Sequence, residues 1–364
     1  MKLAFYGSSL LSSYWNGAAT YYRGMLRDLA ARGYEIHFYE PNAFERQSHR
    51  DMEAPDWAQV HVYDATEEDA RRVIEEASSA DIVVKASGVG VFDDMLIAGV
   101  MAAAKPGAIR IFWDVDAPAT LAEISGGGSL PLRRALPSLD IVFTYGGGPP
   151  VVSAYEGLGA RRCVPIYNAL SPETHHREGE DAKFAVDLAF LGNRLPDREA
   201  RVDEFFLRPA ALLPRRSFLI GGSGWGDKSM PPNVRSHGHV YTHEHNRFNS
   251  TPLAVLNIAR DSMATTGYSP ATRVFEAAGA GACIITDAWV GIENFLEPGR
   301  EILVAHDGDE VAALLADLTP QRARSIGEAA RLRVLADHTY EKRGAQVDFI
   351  LRQMQQHGRE KVTA

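Results

Sequence analysis

Short apolar runs alternate with amphipathic stretches along most of this chain, and that alternation restricts the fold more than any other feature. Runs at 3–6, 35–39, 59–63, 81–86, 109–113, 140–145 and 162–167 read as strands. Helical stretches at 18–31, 66–80 and 94–104 separate them, the second opening with Thr66 and Asp69 at capping-box-like spacing. Strands separated by helices return parallel through crossovers, so the expected fold is α/β, a doubly wound sheet. The pattern resumes at 186–191, 217–220, 253–258, 282–286 and 302–305, with helices at 309–318, 321–330 and 340–356. Two Rossmann-like domains are therefore expected, 1–170 and 186–335. Residues 171–185 would link them, and a closing helix within 336–364 would cross back to the first. The polar stretch 169–183, broken by Pro172 and Gly179, has no apolar period and reads as the linker, with His175 and His176 as its solvated residues.

Composition narrows the function classes. A hydrophobic content of 45% and a charged content of 23% over 364 residues suit an ordinary globular protein with room for two cores. Lys and Arg total 38 against 47 Asp and Glu, a net charge of −9, which argues against nucleic acid as the main partner. Cys163 and Cys283 lie in separate apolar runs and read as buried thiols. No run is long enough to cross a bilayer, and the start reads as a first strand and not a signal peptide, so the expected compartment is the cytoplasm.

The residues that carry chemistry gather after strands. In the second half, Ser269 and Pro270 read as N-cap and first residue of a helix that ends at Gly279 and Gly281. Ala271, Val274, Phe275 and Ala278 share one face of it; Thr272, Arg273 and Glu276 share the other. A helix start with unpaired amides, a guanidinium and a carboxylate one turn further suits a nucleoside diphosphate. The amides and Arg273 would hold phosphate, and Glu276 would accept from both ribose hydroxyls. The competing reading is a solvated Arg273–Glu276 pair. Gly222, Ser223 and Trp225 lie in a Gly/Ser-rich turn after a strand, where backbone can approach a ligand and Trp225 can stack on a base. A mobile turn is the alternative.

In the first half, the loop 7–17 lacks a dinucleotide fingerprint but is long and polar. Ser8, Ser9, Trp15 and Asn16 are its candidate acceptor-binding residues. Asp114 and Asp116 end a strand as Asp-x-Asp. Two carboxylates alone make a poor site for a hard cation, so no metal is expected there. A general base toward an acceptor hydroxyl is one reading, and an N-cap at Asp116 for a helix near Pro118 is the other. His237, His239, His243 and His245 lack metal-ligand spacing, and His237, His239 and Tyr241 alternate as an exposed strand face would.

The run from Phe275 to Asp287, FEAAGAGACIITD, then Gly291-Ile292-Glu293 and EPGREILVA, resembles the carboxyl-terminal half of group-1 glycosyltransferases. The opening SPATRVFE is similar to the CgeB-like spore-maturation branch. Gly192-Asn193-Arg194-Leu195 is similar to the Gly-Arg-Leu turn of those enzymes, where an Arg and a following Lys contact the donor diphosphate. Arg194 matches that Arg, and Arg198 stands near the Lys. The resemblance implies a GT-B architecture of two Rossmann-like domains facing across a cleft. It implies ribose binding by Glu276, charge stabilisation by Arg194 and Arg273, and sugar transfer from a nucleotide-sugar donor, UDP-sugar before GDP- or dTDP-sugar, without metal or cofactor. The partner would be a hydroxyl-bearing acceptor: glycan, small molecule or protein. Two departures stand out. The turn at Gly291 is one residue short, which leaves Glu293 without a role. Tyr268 stands where many members carry a second Glu, eight residues before Glu276. A nucleotide-sugar 2-epimerase and a non-catalytic sugar-nucleotide-binding protein share the architecture and remain alternatives.

Overall fold

The computed structural model describes residues 1–14 and 16–363, with side chains as far as residue 356. It divides into two compact units, one made of Met1–Tyr167 and the segment from Tyr340 onward, the other of Asn168–Thr339.

The first unit holds a seven-stranded parallel sheet: β1 (Lys2–Tyr6), β2 (Glu35–Asn42), β3 (Ala58–Asp64), β4 (Ile82–Ala86), β5 (Ile109–Asp114), β6 (Ile141–Thr144) and β7 (Cys163–Pro165), ordered β3-β2-β1-β4-β5-β6-β7. All residues of β4 and β6 are buried, as expected of strands covered by helices on both faces. Val83, Phe112 and Val142 point to one core face. Direction reverses between β1 and β4, so their carboxyl ends flank the switch point of the sheet.

The second unit repeats the plan with six parallel strands: β8 (Leu188–Leu191), β9 (Phe218–Gly221), β10 (Val234–Gly238), β11 (Ala254–Asn257), β12 (Ile284–Asp287) and β13 (Leu303–Ala305). Their order is β10-β9-β8-β11-β12-β13, with the switch point between β8 and β11. Successive residues alternate across it: Leu188 and Phe190 pack with Ile220, Leu256 and Ile285, while Ala189 and Leu219 pack with Phe184 and Phe248 on the other face. Burying a side chain the size of Phe190 contributes about 2 kcal/mol. β10 has no apolar run because it is an edge strand with partly exposed residues, and it carries no sequence signal. The helix Gly148–Gly157 was similarly hidden by Pro149 and Pro150, which are tolerated in a first turn where the missing N–H groups have no partner to lose.

One segment differs from the expected linker. The stretch 169–183 is not a solvated linker: Leu170 and the His175 carbonyl press on Gly279, where a Cβ would lie 2.4 Å from a Leu170 methyl and 3.0 Å from that oxygen. The His176 amide donates to Asn246 Oδ1 (3.2 Å), so the segment is built into the second unit. The closing helix Tyr340–Thr363 packs along the helix Ala19–Ala31 of the first unit. Glycines permit the close approach. A Cβ on Gly24 would sit 2.3 Å from the Tyr340 ring, and one on Gly344 would sit 1.9 Å from Asp28 Oδ2. Tyr34 Oη donates to Asp348 across the same contact (2.8 Å).

Candidate active site

In the second unit, the loops after β8 and β9 and the helix Thr272–Gly279 collect at the carboxyl ends of the strands, beside the switch point. The two loops touch backbone to backbone. Gly222 has φ +116°, and a Cβ there would lie 2.3 Å from the Gly192 oxygen, so only glycine fits. Ser223 is pinned through its backbone: its amide donates to Asn193 Oδ1 and its oxygen accepts from the Arg194 amide, each at 2.9 Å. Trp225 does not face a ligand. It is 2% exposed, its indole N–H donates to the Gly192 oxygen (2.7 Å), and its ring meets Phe190 edge-on, so it is core and not a base-stacking platform.

The helix begins at Thr272, two residues later than the capping pattern predicts. Ala271 is the N-cap residue, with φ −64° and ψ 146°, and no side chain caps the first turn. Ser269 Oγ instead donates to the Gly267 oxygen (2.9 Å) and is itself buried. Tyr268 explains the shift. It sits in the left-handed region at φ +47°, its amide donates to the Val290 oxygen (2.7 Å), and its ring covers Gly291. The residue that replaces the second family carboxylate is therefore a packing residue that shapes the turn.

The cations differ sharply. Arg194 is fully engaged: Nε and Nη2 donate to Glu199 (2.9 and 2.7 Å), and Nη1 donates to Asp227 (3.0 Å). Those carboxylates hold its guanidinium above its usual range, so Arg194 is a bracket between two loops and not a free diphosphate clamp. Arg198 and Arg273 are the reverse. Among the described residues neither has a carboxylate within ion-pair distance, and the Arg198 Nε is buried without any hydrogen-bond partner. Arg273 lies over the Phe190 ring, 5.6 Å from its centroid. Part of the Arg273 side chain reaches solvent, yet protein surrounds it so densely that desolvation, with Arg198 nearby, pulls it down to about 10. Burial likewise lowers Arg198. Two half-buried guanidiniums without a carboxylate partner among the described residues, one of them in the first turn of an uncapped helix, could hold an anion.

Glu276 lies one turn into the same helix. Its side chain is 20% exposed, and its Oε1 is 3.6 Å from His175 Nε2, while His175 Nδ1 meets Thr174 Oγ1 at 2.9 Å. His245 is also near: desolvation lowers it, Glu276 opposes that shift, and His175 and Arg273 add to it. His175 and His245 were thus missed, one read as solvated linker and the other only weighed and set aside as a metal ligand; nothing in their spacing marks them. Arg198 was visible only as a second basic residue after the turn.

In the first unit, Asp114 is fully buried. Its Oδ1 accepts from Ser87 Oγ (2.8 Å), the Asp116 amide (3.0 Å) and Thr120 Oγ1 (3.0 Å), and its Oδ2 accepts from the Tyr155 hydroxyl. Burial raises its pKa and these donors oppose the rise. It fastens the start of the helix Ala117–Ser125 and is not placed as a base facing solvent. Asp116 occupies that helix's N-cap position, but its side chain makes no capping bond; Asp114 satisfies the turn instead.

The loop after β1 is also self-contained. Ser8 Oγ donates to Asn16 Oδ1 (2.9 Å), Asn16 Nδ2 donates to the oxygens of Ser9 and Ser12 (2.9 and 3.1 Å), and Ser9 Oγ donates to Glu40 (3.0 Å). Ser8, Ser9 and Asn16 are all buried and shape the loop in place of presenting hydroxyls; Trp15 lies outside the described residues. Arg46 Nη1 donates to the oxygens of Ser8 and Val89 (3.3 and 3.4 Å), bridging the loops after β1 and β4 across the switch point.

A family model described as glycosyl transferase-like matches residues 198–348, the stretch that holds Arg198, Arg273 and Glu276. Solved structures match nearly end to end. The sucrose-phosphate synthase of Thermosynechococcus elongatus superposes with a TM-score of 0.70 at 14% identity, covering 97% of this chain and 99% of that one. Anabaena HepE in complex with UDP-glucose gives 0.69 at 13% identity, covering 97% and 100%. The fold is that of the GT-B glycosyltransferases. Phage T4 BGT in complex with its UDP-glucose substrate shares the GT-B fold at 0.61 and 10% identity, covering 97% and 99%. No curated protein sequence matches the chain. Among the described residues of this GT-B chain, no helix is long and apolar enough to cross a membrane.

Proposed function

We propose that this protein is a glycosyltransferase that moves a sugar from a nucleotide-diphosphate donor, a UDP-sugar before a GDP- or dTDP-sugar, to a hydroxyl of an acceptor. The observation that carries the reading is the pair Arg198 and Arg273, two guanidiniums held partly out of water with no carboxylate partner. A buried cation left unpaired costs free energy that a bound anion recovers. The diphosphate would lie against the uncapped amides of Thr272 and Arg273 and between the two guanidiniums. As the bond from the sugar to the diphosphate breaks, negative charge grows on the leaving group, and fixed cations stabilise it most at that moment. Gly222 lets the loops after β8 and β9 close on each other beside the proposed donor site.

Glu276, which accepts no hydrogen bond from its neighbours among the described residues, would accept from the ribose hydroxyls, with His175 orienting its carboxylate. Arg194 keeps the two loops in register. The donor choice draws support from HepE and phage T4 BGT, both described with UDP-glucose. Of the two strand-end aspartates, Asp116 is the part-exposed one and is assigned acceptor deprotonation, while Asp114 is fully buried. The family resemblance extends the proposal to the CgeB-like branch.

The reading is tested by titrating the protein calorimetrically with UDP-glucose, GDP-mannose and dTDP-glucose. UDP-glucose is expected to bind most tightly, and Arg273→Ala to weaken it by about tenfold to a hundredfold, the worth of a charge-assisted contact. If no nucleotide sugar binds, or the substitution leaves binding unchanged, the assignment fails. An epimerase would convert the sugar without any acceptor, which product analysis separates from transfer.

A further inference from the structure

The first unit contains a cavity of about 580 Å³ one strand away from the self-contained loop after β1, above β4 and β5. Its volume is that of a small-molecule site. Lys85 stands in the wall. It is 2% exposed in the middle of a buried strand, and its ammonium pairs with Asp93. Asp93 also accepts from the amides of Val89 and Gly90 (3.3 and 2.7 Å), so the pair is neutral and fixed. Two further carboxylates, Asp94 and Glu123, line the same cavity without an ion pair of their own among the described residues, while Ile97, Phe112 and Leu132 supply an apolar wall. Ser87 and Thr120 bring hydroxyls to the rim, each already tied to Asp114.

One cation against three carboxylates, beside low-dielectric walls, gives this cavity a negative field. We infer that the cavity beside Lys85 binds an amphiphilic cation of the amino-alcohol class, its ammonium toward Asp94 and Glu123 and its apolar part against Phe112 and Leu132. The hydroxyl of such a ligand makes it a candidate acceptor. That name rests on the glycosyl-transfer reading, whereas the binding does not. The geometry also relocates the acceptor contact: Ser8, Ser9 and Asn16 are consumed within their own loop, and the open volume lies beside β4.

The test uses the full chain at neutral pH without nucleotide and three probes of equal length: 8-amino-1-octanol, 1,8-octanediol and 8-hydroxyoctanoate. Ligand-observed NMR or calorimetry should rank the amine first, the diol second and the acid last, with a preference of about threefold to tenfold for amine over diol. The double substitution Asp94→Asn with Glu123→Gln changes two exposed side chains, so the melting curve should be preserved. It should erase the preference while UDP-glucose affinity stays as it was. The inference is overturned if the acid matches the amine, if no probe binds, or if the preference survives the double substitution. Because the probes are read without donor, failure here alongside intact UDP-glucose binding removes only this inference. Amine binding without any donor binding would remove the word acceptor and leave the site.

Discussion

The loops after β1 and after β8 stand at equivalent places in the two sheets and treat buried charge in opposite ways. Against the loop after β1, Glu40 of β2 is completely buried and accepts from Ser9 Oγ, the amides of Leu10 and Leu11, and Gln47 Nε2. After β8, Arg198 keeps a buried Nε with no partner, and Arg273 beside it has no ion pair among the described residues. A charge whose hydrogen bonds are complete is part of the architecture; one left incomplete where a loop meets a helix start is waiting for a ligand. That criterion favours the plainer turn as the proposed donor site; Arg46, against the first loop, also keeps a buried Nε without a partner among the described residues, but its Nη1 donates to the oxygens of Ser8 and Val89.

Substitutions can break this contrast. The largest effect is expected from Glu40→Ala, which strands four donors and should lower the stability of the first unit by about 3–4 kcal/mol in urea unfolding. UDP-glucose affinity of the folded protein should be unchanged; a loss of affinity without a loss of stability would reverse the assignment. Next, Arg198→Met and Arg273→Met should each weaken UDP-glucose by about tenfold to a hundredfold. Their melting temperature without ligand should hold or rise, since each removes an uncompensated cation. A marked destabilisation would make these arginines structural. Glu276→Ala should then reduce donor affinity by roughly tenfold with little change in the ligand-free melting temperature.

The smallest effect is one of pH, and its sign sharpens the comparison. Desolvation holds Arg273 at about 10, below the ordinary guanidinium range, so the native state releases this proton more easily than the unfolded chain. Its contribution to ligand-free stability therefore rises as pH climbs above about 10 toward the ordinary guanidinium range. Donor affinity, which needs the cation, should fall over the same window, and that alkaline limb should be missing from Arg273→Met.

The double α/β plan and most of its strands were legible because buried parallel strands have to be short apolar runs between helices. Glu276 was legible too, since periodicity alone puts it on the polar face with Arg273. What escaped was set by partners. Nothing local tells Arg194, which spends its donors on Glu199 and Asp227, from Arg198, four residues on, which finds none. Trp225 followed turn residues and looked available, but the near-contact of Gly222 with Gly192 turns the chain inward there. His175 lies in a stretch without apolar period, and only the packing of Leu170 on Gly279 brings it to Glu276.

The course of the backbone through the closing helix has a consequence for synthesis. Because the helix that starts at Tyr340 completes the first unit, the second unit is in effect an insertion within it, and its residues emerge from the ribosome before their host can be finished. The helix Ala19–Ala31 must wait with its Tyr340-facing side uncovered for more than three hundred residues of translation. The inserted body, contiguous from Asn168 to Thr339, is free to fold first.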